Sequence, residues 1–221
     1  MKEKENLWIF KSKILLKGKT KMIKHSIRKA CPKFIKKIFR VIKAFTMKQA
    51  SPLIEPAKIK NAKLFANRKL MVQELFYKGK VLEIRTESGI FAKFLLSLAE
   101  LEKLVTIDID YSLFKLQPQE NLECLKGYSH EVLPKLTEHF SLIYLDAAHD
   151  YKNVKMDLIA MAHLLRPGTV LVFNDFAIMN KDFGFYGVHR AASEFVNNNK
   201  CSIIGLAMQK NAQYDLAVLI E

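Results

Sequence analysis

The sequence predicts an α/β fold, in which a doubly wound, mostly parallel sheet of seven strands ends in an antiparallel hairpin. Helix-like and strand-like segments alternate from residue 57 onward, and only five residues, 209–213, join the last two strand-like segments. Alternating strands and helices form parallel sheets with helices on both faces. A connector of five residues can join only antiparallel strands. A basic extension, residues 1–56, precedes this α/β domain at residues 57–221.

The elements of the domain follow from short apolar runs and the segments between them. Strands are predicted at residues 80–84, 104–108, 122–125, 140–146, 169–173, 202–208 and 214–220. Helices are predicted at residues 57–76, 89–101, 111–117, 153–165 and 187–197. In such a sheet, ligands bind at the carboxyl ends of the strands.

Composition excludes several classes of protein. The chain has 221 residues, of which 50% are hydrophobic, so a fully disordered chain is excluded. No run of 18 apolar residues occurs, and we expect no membrane-spanning helix. The three cysteines, Cys31, Cys124 and Cys201, lie far apart without CxxC spacing, which argues against a disulfide framework and a zinc site. We therefore expect a cytoplasmic protein.

The net charge of +14 belongs to one end of the chain. Residues 1–63 contain 19 Lys and Arg against 3 acidic residues, a net charge of +16. Residues 64–221 contain 17 basic and 19 acidic residues, a net charge of −2. The basic excess is therefore a property of the extension and not of the α/β domain.

Within the extension, residues 33–48 are predicted to contain a basic amphipathic helix. Its apolar side chains recur at three- and four-residue intervals, with lysines largely between them; they are Phe34, Ile38, Val41, Ile42 and Phe45. Such a helix can lie on the inner face of an anionic membrane. It can equally dock its apolar face on the protein's own α/β domain. Nucleic acid is a third possible partner, although no RNA- or DNA-binding motif is present.

Several motifs follow the predicted strands in a fixed order. They are VLEIRTESG at 81–89, VTIDID at 105–110, KGYSHEVLP at 126–134, DAAHDY at 146–151, LLRPGT at 164–169, NDF at 174–176 and GVHRAASEF at 187–195. Together with the terminal hairpin, this series resembles class I S-adenosylmethionine-dependent methyltransferases, in particular a bacterial subfamily with a DAAHDY…PGG…HDY pattern. The resemblance extends over about residues 63–221 and implies a Rossmann-like fold and methyl transfer from S-adenosylmethionine.

The resemblance also implies where the cofactor binds. Asp108, at the end of the second strand, would accept hydrogen bonds from both ribose hydroxyls, with Asp110 as a surface or capping residue. Tyr128 and Ser129 would flank the adenine. The other implied cofactor contacts are Glu83, Arg85, Thr86, Gly89, Ile109 and Asp146.

By the same resemblance, Asp146, Asn174 and Asp175 would form a magnesium site at the ends of strands four and five. Such an ion lowers the pKa of a hydroxyl acceptor and fixes its oxygen. Asp146 and His149 are the predicted catalytic residues, and His149 would act as a general base or orient the acceptor. The alternative for His149 is a structural histidine that caps the following helix.

Three residues depart from the family pattern: Arg85, Asn174 and Glu87, of which Glu87 matters least because that middle position varies. Arg85 stands where a glycine is usual, so it either blocks the cofactor or pairs with the cofactor's carboxylate. Asn174 replaces a histidine or an acid.

The motif series and the resemblance together favour an O-directed methyltransferase acting on a small or glycan-type hydroxyl. A non-catalytic binding or scaffold protein with a membrane-directed arm is the second hypothesis, and an RNA methyltransferase is the third.

Overall fold

The computed structural model describes residues 51–221 except 147, 178, 181–183 and 186. The predicted amphipathic helix at 33–48 lies outside the described residues. Among those described, no helix is both long and apolar enough to cross a membrane. The strands are β1 Lys63–Phe65, β2 Gly79–Ile84, β3 Leu101–Asp108, β4 Leu122–Lys126, β5 Leu142–Leu145, β6 Val170–Phe173, β7 Met179–Asn180, β8 Gly184–Phe185, β9 Cys201–Met208 and β10 Tyr214–Ile220. The α-helices are α1 Arg68–Leu75, α2 Ile90–Leu95, α3 Ser129–Val132, α4 Tyr151–Ala160 and α5 Gly187–Asn198.

Eight strands form one sheet in the order β1-β9-β10-β6-β5-β2-β3-β4. Strand β10 runs antiparallel to both of its neighbours, β6 and β9. The other pairs in this sheet are parallel. The predicted Rossmann-like α/β fold is therefore confirmed, including the terminal antiparallel hairpin, and the sheet gains an eighth strand, β1.

The strand order determines where a ligand can bind. The chain runs from β2 to β3 on one side and places β5 on the other side of β2. This reversal is a topological switch point, where a crevice opens at the carboxyl ends of parallel strands. The residues that follow β2, β3, β5 and β6 therefore meet at one edge of the sheet.

The predicted helix at residues 57–76 is wrong. The structure has a short 3-10 helix at Pro56–Ile59, then β1, and only then α1. Strand β1 pairs in parallel with β9, which local sequence pattern cannot reveal. The Asn67 side chain accepts a hydrogen bond from the backbone N of Leu70 and so starts α1 at Arg68.

Other predicted helices are shorter than expected or absent. The helix predicted at 89–101 ends at Leu95. Residues 111–117, all of which the structure describes, contain a turn and no helix. The Tyr111 hydroxyl donates to the Thr106 backbone oxygen at 2.9 Å, which folds this segment back against β3. The helix predicted at 153–165 starts earlier, at Tyr151, because Asp150 caps it by accepting from the Asn153 backbone N.

The core lies on both faces of the sheet, because strand side chains alternate between them. In β2, Leu82 and Ile84 pack on one face with α4 and α5, whereas Val81 packs on the other with α1 and α2. Burial of an aliphatic side chain of this size contributes about 1.5–3 kcal/mol. Glu83 shares the face of Val81, so a carboxylate enters an otherwise apolar layer.

Candidate active site

A first cavity, of about 660 Å³, lies at the carboxyl ends of β2 and β3. Five residues of the predicted cofactor set line it: Arg85, Asp108, Ile109, Tyr128 and Ser129. Its other walls include Leu113, His130, Ala148, Asn153 and Asp157. We call this space the nucleoside cavity, because its size and its largely apolar walls suit a planar ring system and a sugar.

Asp108 is held in position by backbone groups. Its Oδ2 accepts from the Glu87 N at 2.8 Å, and its Oδ1 accepts from the Asp110 N at 3.1 Å. A carboxylate oxygen has two lone pairs, so each oxygen can accept one more hydrogen bond. Both ribose hydroxyls of a nucleoside could therefore donate to Asp108. Asp110, in contrast, is exposed, and hydrogen bonds from Ser112 lower its pKa.

The loop between β2 and α2 adopts unusual backbone angles. Arg85, Glu87 and Gly89 all have positive φ, at 68°, 50° and 78°. A Cβ on Gly89 would lie 2.8 Å from Cε2 of Phe114, so this position requires glycine both for its conformation and for its packing. At position 85 the chain keeps the backbone conformation that suits glycine but carries an arginine.

A second cavity, of about 360 Å³, adjoins the first and contains the other predicted residues except Gly89, which lines neither of these two cavities. Glu83, Thr86, Asp146, His149, Asn174 and Asp175 line it, and Arg85 and Glu87 line both cavities. The structure therefore brings the predicted catalytic residues together beside the predicted cofactor residues. We call this space the transfer cavity.

Glu83 is the residue in the transfer cavity best suited to bind a cation. Its Oε2 is buried and has no hydrogen-bond partner within the described part of the chain. Burial raises the pKa of Glu83 to about 8. An unsatisfied buried polar atom costs about 1–3 kcal/mol. A ligand ammonium group, such as the one on the methionine end of S-adenosylmethionine, fits this oxygen.

Asp146 follows β5 and has a pKa matched to proton transfer. Burial raises the pKa of Asp146 to about 7, opposed by the Arg85 guanidinium and reinforced by Asp175. A general base works best when its pKa lies near the working pH. The Nδ2 of Asn174 donates to Asp146 Oδ1 at 2.9 Å, which fixes the carboxylate at the end of its strand.

His149 is held in a neutral state. Burial, and to a smaller extent the neighbouring Arg85, lowers its pKa to about 4. Its Nε2 lies 3.3 Å from NH1 of Arg85 and 4.0 Å from Oδ2 of Asp175. A group with a pKa of about 4 is a weak base at neutral pH. The alternative of a capping histidine does not match the structure, because Asp150 caps α4.

The predicted magnesium set does not fit a metal ion. The Asn174 amide turns its donor nitrogen towards Asp146, and its oxygen lies 3.1 Å from NH1 of Arg68 and 3.0 Å from the Tyr144 hydroxyl. Within the described ranges, no group of three His, Cys, Asp or Glu side chains could hold a metal ion. The amide donor and the fixed guanidinium both repel a cation, so Arg68 supplies the positive charge at this position.

Sequence reasoning missed four polar residues of the site: Arg68, Tyr144, Asp157 and Asp215. Tyr144 is fully buried and donates to Asp215 Oδ2 at 2.6 Å. Asp157, on α4, accepts from the Ser129 Oγ at 2.6 Å at the wall of the nucleoside cavity. Asp215 could have been found from the sequence, because it is a single acid within the apolar run of β10. No sequence feature pointed to Arg68, because it lay within the wrongly predicted helix at 57–76.

Comparison with known proteins agrees with this geometry. Residues 82–176 match the family model described as a methyltransferase domain, which confirms the prediction of a methyltransferase enzyme. No curated protein matches the chain by sequence.

Three solved structures have a similar fold at low sequence identity. An O-methyltransferase from Bacillus cereus in complex with SAH has a TM-score of 0.53 at 16% identity, covering 90% of this chain and 96% of its own. The O-methyltransferase TomG from Streptomyces achromogenes, involved in tomaymycin synthesis and in complex with SAM, has a TM-score of 0.52 at 19% identity, covering 69% and 78%. An rRNA methylase from Streptococcus thermophilus has a TM-score of 0.50 at 13% identity, covering 69% and 93%. At these identities the likeness establishes the fold.

Proposed function

We propose that this protein transfers a methyl group from S-adenosylmethionine to a hydroxyl of a small acceptor. The observation that carries the proposal is the position of Asp146, a carboxyl with a pKa of about 7, in a cavity that adjoins the nucleoside cavity. A hydroxyl acceptor must lose its proton during transfer, and Asp146 has the affinity for that proton. Two of the structurally similar proteins, TomG and the one from Bacillus cereus, are O-methyltransferases, which favours the same acceptor chemistry.

The two cavities divide the cofactor between them. Asp108 binds the ribose hydroxyls, and Tyr128 and Ser129 border the adenine in the nucleoside cavity. Glu83 receives the ammonium group of the methionine end in the transfer cavity. Two of the similar structures contain SAM or SAH, which supports this cofactor.

The residues of the transfer cavity align the acceptor and accept the proton of its hydroxyl. S-adenosylmethionine supplies a methyl group on a positively charged sulfur, open to in-line attack by oxygen. Asp146 accepts the proton of the acceptor hydroxyl, while Asn174 holds the Asp146 carboxylate in place. His149, neutral at physiological pH, orients the same hydroxyl from the wall of the transfer cavity. Roles for all three residues follow without a metal ion.

Release of S-adenosylhomocysteine from S-adenosylmethionine tests the proposal directly. The wild-type protein is incubated with phenols, catechols and sugar alcohols in turn, with the Asp146→Asn variant as the reference. We expect acceptor-dependent release by the wild type only. Release without methylation of an acceptor oxygen, or equal release by the variant, contradicts the proposal.

One observation favours a non-catalytic binding protein as the second candidate. Arg85 borders both cavities, and its guanidinium contacts His149, which lines the transfer cavity. Calorimetric titration with S-adenosylhomocysteine separates the candidates. Binding by the wild type supports the enzyme. Binding only by Arg85→Gly supports a site that Arg85 has closed.

The basic extension is proposed to hold the protein at an anionic membrane surface through residues 33–48. The proposal rests on the charge of +16 in residues 1–63 and on the apolar face around Ile38. Full-length protein should sediment with vesicles of phosphatidylglycerol and not with vesicles of phosphatidylcholine alone. Ile38→Asp should abolish sedimentation, whereas Phe39→Asp, off the predicted face, should retain most of it. Equal sedimentation with both vesicles refutes the proposal.

A further inference from the structure

A third cavity, of about 670 Å³, opens between the start of α1 and the loop that joins β9 to β10. Its lining includes Asn67, Arg68, Asp175, Met208, Lys210 and Gln213. Arg68, Asn174, Asp175 and Gln213 also line the transfer cavity. A molecule in this third cavity can therefore reach the reacting end of the site. Its volume lies within the range of small-molecule sites.

Arg68 is fixed at the boundary between the third cavity and the transfer cavity. Its NH1 donates to the Tyr144 hydroxyl and to Asn174 Oδ1, each at 3.1 Å. Its guanidinium carbon lies 4.5 Å from the centre of the Phe91 ring. These contacts hold the charged plane without any direct ion pair to a carboxylate in the described part of the chain.

The residues that the structure describes leave most N–H donors of Arg68 without an acceptor. A guanidinium has five N–H donors. Only NH1 has hydrogen-bond partners among the residues that the structure describes. Donors of this kind, in a fixed plane, match the two oxygens of a carboxylate. Because Arg68 donates a hydrogen bond to Asn174, a residue of the predicted magnesium set, and a guanidinium stays protonated, the positive charge at this end of the site is permanent.

The charged residues that line the third cavity favour a ligand with a single negative charge. Arg68 and Lys210 are the two cations, and Asp175 is the acid, among the described lining residues of the third cavity. With Asp175 ionised, the lining carries one net positive charge. A monocarboxylate balances this charge, whereas a phosphate dianion leaves an excess negative charge.

We propose that the acceptor is a small hydroxylated carboxylic acid, whose carboxylate binds Arg68 with support from Lys210 in the third cavity and whose hydroxyl enters the transfer cavity. This inference rests on the proposed function, since it names the substrate class of the same site. It makes Arg68 a specificity residue. The ligand's carboxylate forms hydrogen bonds with the unused N–H groups, and the hydroxyl lies towards Asp146.

Matched acid and amide pairs test the proposal. The probes are 4-hydroxybenzoate with 4-hydroxybenzamide, and 3,4-dihydroxybenzoate with 3,4-dihydroxybenzamide, titrated calorimetrically into protein saturated with S-adenosylhomocysteine. We expect at least one acid to bind at least tenfold more tightly than its amide. Arg68→Gln should abolish that preference, Arg68→Lys should retain part of it, and Lys210→Gln should reduce it about threefold.

Two controls keep the outcome interpretable. Lys69→Gln changes an exposed neighbouring cation on α1 that does not line the cavity, and it should leave the preference intact. S-adenosylhomocysteine affinity, measured first on every variant, reports whether the cofactor site is folded. Failure of that titration in the wild type contradicts the proposed function. If cofactor binding is normal, three results overturn the acceptor assignment alone. They are equal affinity for acid and amide, no binding of either, and a preference that survives Arg68→Gln.

Discussion

Asn174 donates a hydrogen bond from Nδ2 to Oδ1 of Asp146 over 2.9 Å and so joins the ends of the neighbouring strands β6 and β5. An acid at position 174 would place two carboxylates side by side, and one of them would have to bind a proton or a metal ion. The asparagine avoids this charge repulsion and donates a hydrogen bond to Asp146 from an uncharged group. The pair therefore favours proton transfer by Asp146 over metal binding.

The Asp146→Asn variant should lose methyl transfer while it keeps its fold. We expect kcat to fall by about 10²–10⁴, the usual contribution of a general base. Because the base acts in its ionised form and its pKa is about 7, wild-type kcat should rise from pH 6 to pH 8 and then level off. The pH profile of initial rates measures this. A flat wild-type profile over this range contradicts the role of Asp146.

His149→Gln provides the contrasting case. Since the pKa of His149 is about 4, the residue is neutral throughout this pH range and contributes no titration step. The variant should lose about tenfold in kcat/KM through poorer alignment and keep the wild-type rise with pH. If the rise disappears in His149→Gln instead, the histidine is the base.

Asp108→Asn should weaken S-adenosylhomocysteine binding by about 10- to 100-fold. The variant keeps one acceptor oxygen and loses one hydrogen bond between the ribose and a charged group, worth about 1.5–3 kcal/mol. Asp110→Asn is the matched control, because Asp110 is exposed at the edge of the same cavity and two residues away. Calorimetry on both variants measures the difference. Equal losses would mean that the ribose does not bind Asp108.

Glu83 should release a proton when the cofactor product binds. At pH 7 a carboxyl with a pKa of about 8 is mostly protonated, and pairing with the ligand ammonium ionises it. The apparent binding enthalpy of S-adenosylhomocysteine should therefore differ between phosphate and Tris buffers. Glu83→Gln should reduce that difference and weaken binding. An unchanged buffer dependence in the variant would assign the proton to another group.

Glu83 should also lower the stability of the free protein at alkaline pH. Its folded-state pKa of about 8 lies above the ordinary value of 4.5, so folding stability falls as pH rises from about 4.5 to about 8. Glu83→Gln removes this cost and should stabilise the protein at pH 8 by on the order of 2 kcal/mol. The gain should shrink towards pH 5. Thermal unfolding of both proteins across this range provides the measurement.

Gly89→Ala should destabilise the protein more than Gly168→Ala. Both glycines have positive φ, so each alanine pays a backbone cost of about 1–2 kcal/mol. At position 89 the added Cβ also meets the Phe114 ring at 2.8 Å, whereas at position 168 it meets nothing within 4 Å. Urea unfolding measures the two losses. Equal losses would show that the Phe114 contact is relieved without cost.

The sequence predicted the parts of the fold that local pattern encodes. The apolar runs located β2, β5 and β6 to within about two residues, and the five-residue connector required the antiparallel hairpin. The motif order located the acids that follow the strands. Strand β1 escaped prediction because its pairing partner, β9, lies about 140 residues further along the chain.

By itself, the sequence determined that strand-end acids and a glycine turn meet at one edge of an α/β sheet, because strand direction and alternation are local properties. Only the tertiary structure decided the chemistry of those acids. Burial raised the pKa of Asp146 and lowered that of His149. The pairing of β1 with β9 carried the start of α1 to the site, where Arg68 contacts Asn174 at the position expected for a metal. Desolvation and the placement of distant charges depend on the packed fold, so no local sequence pattern could reveal them.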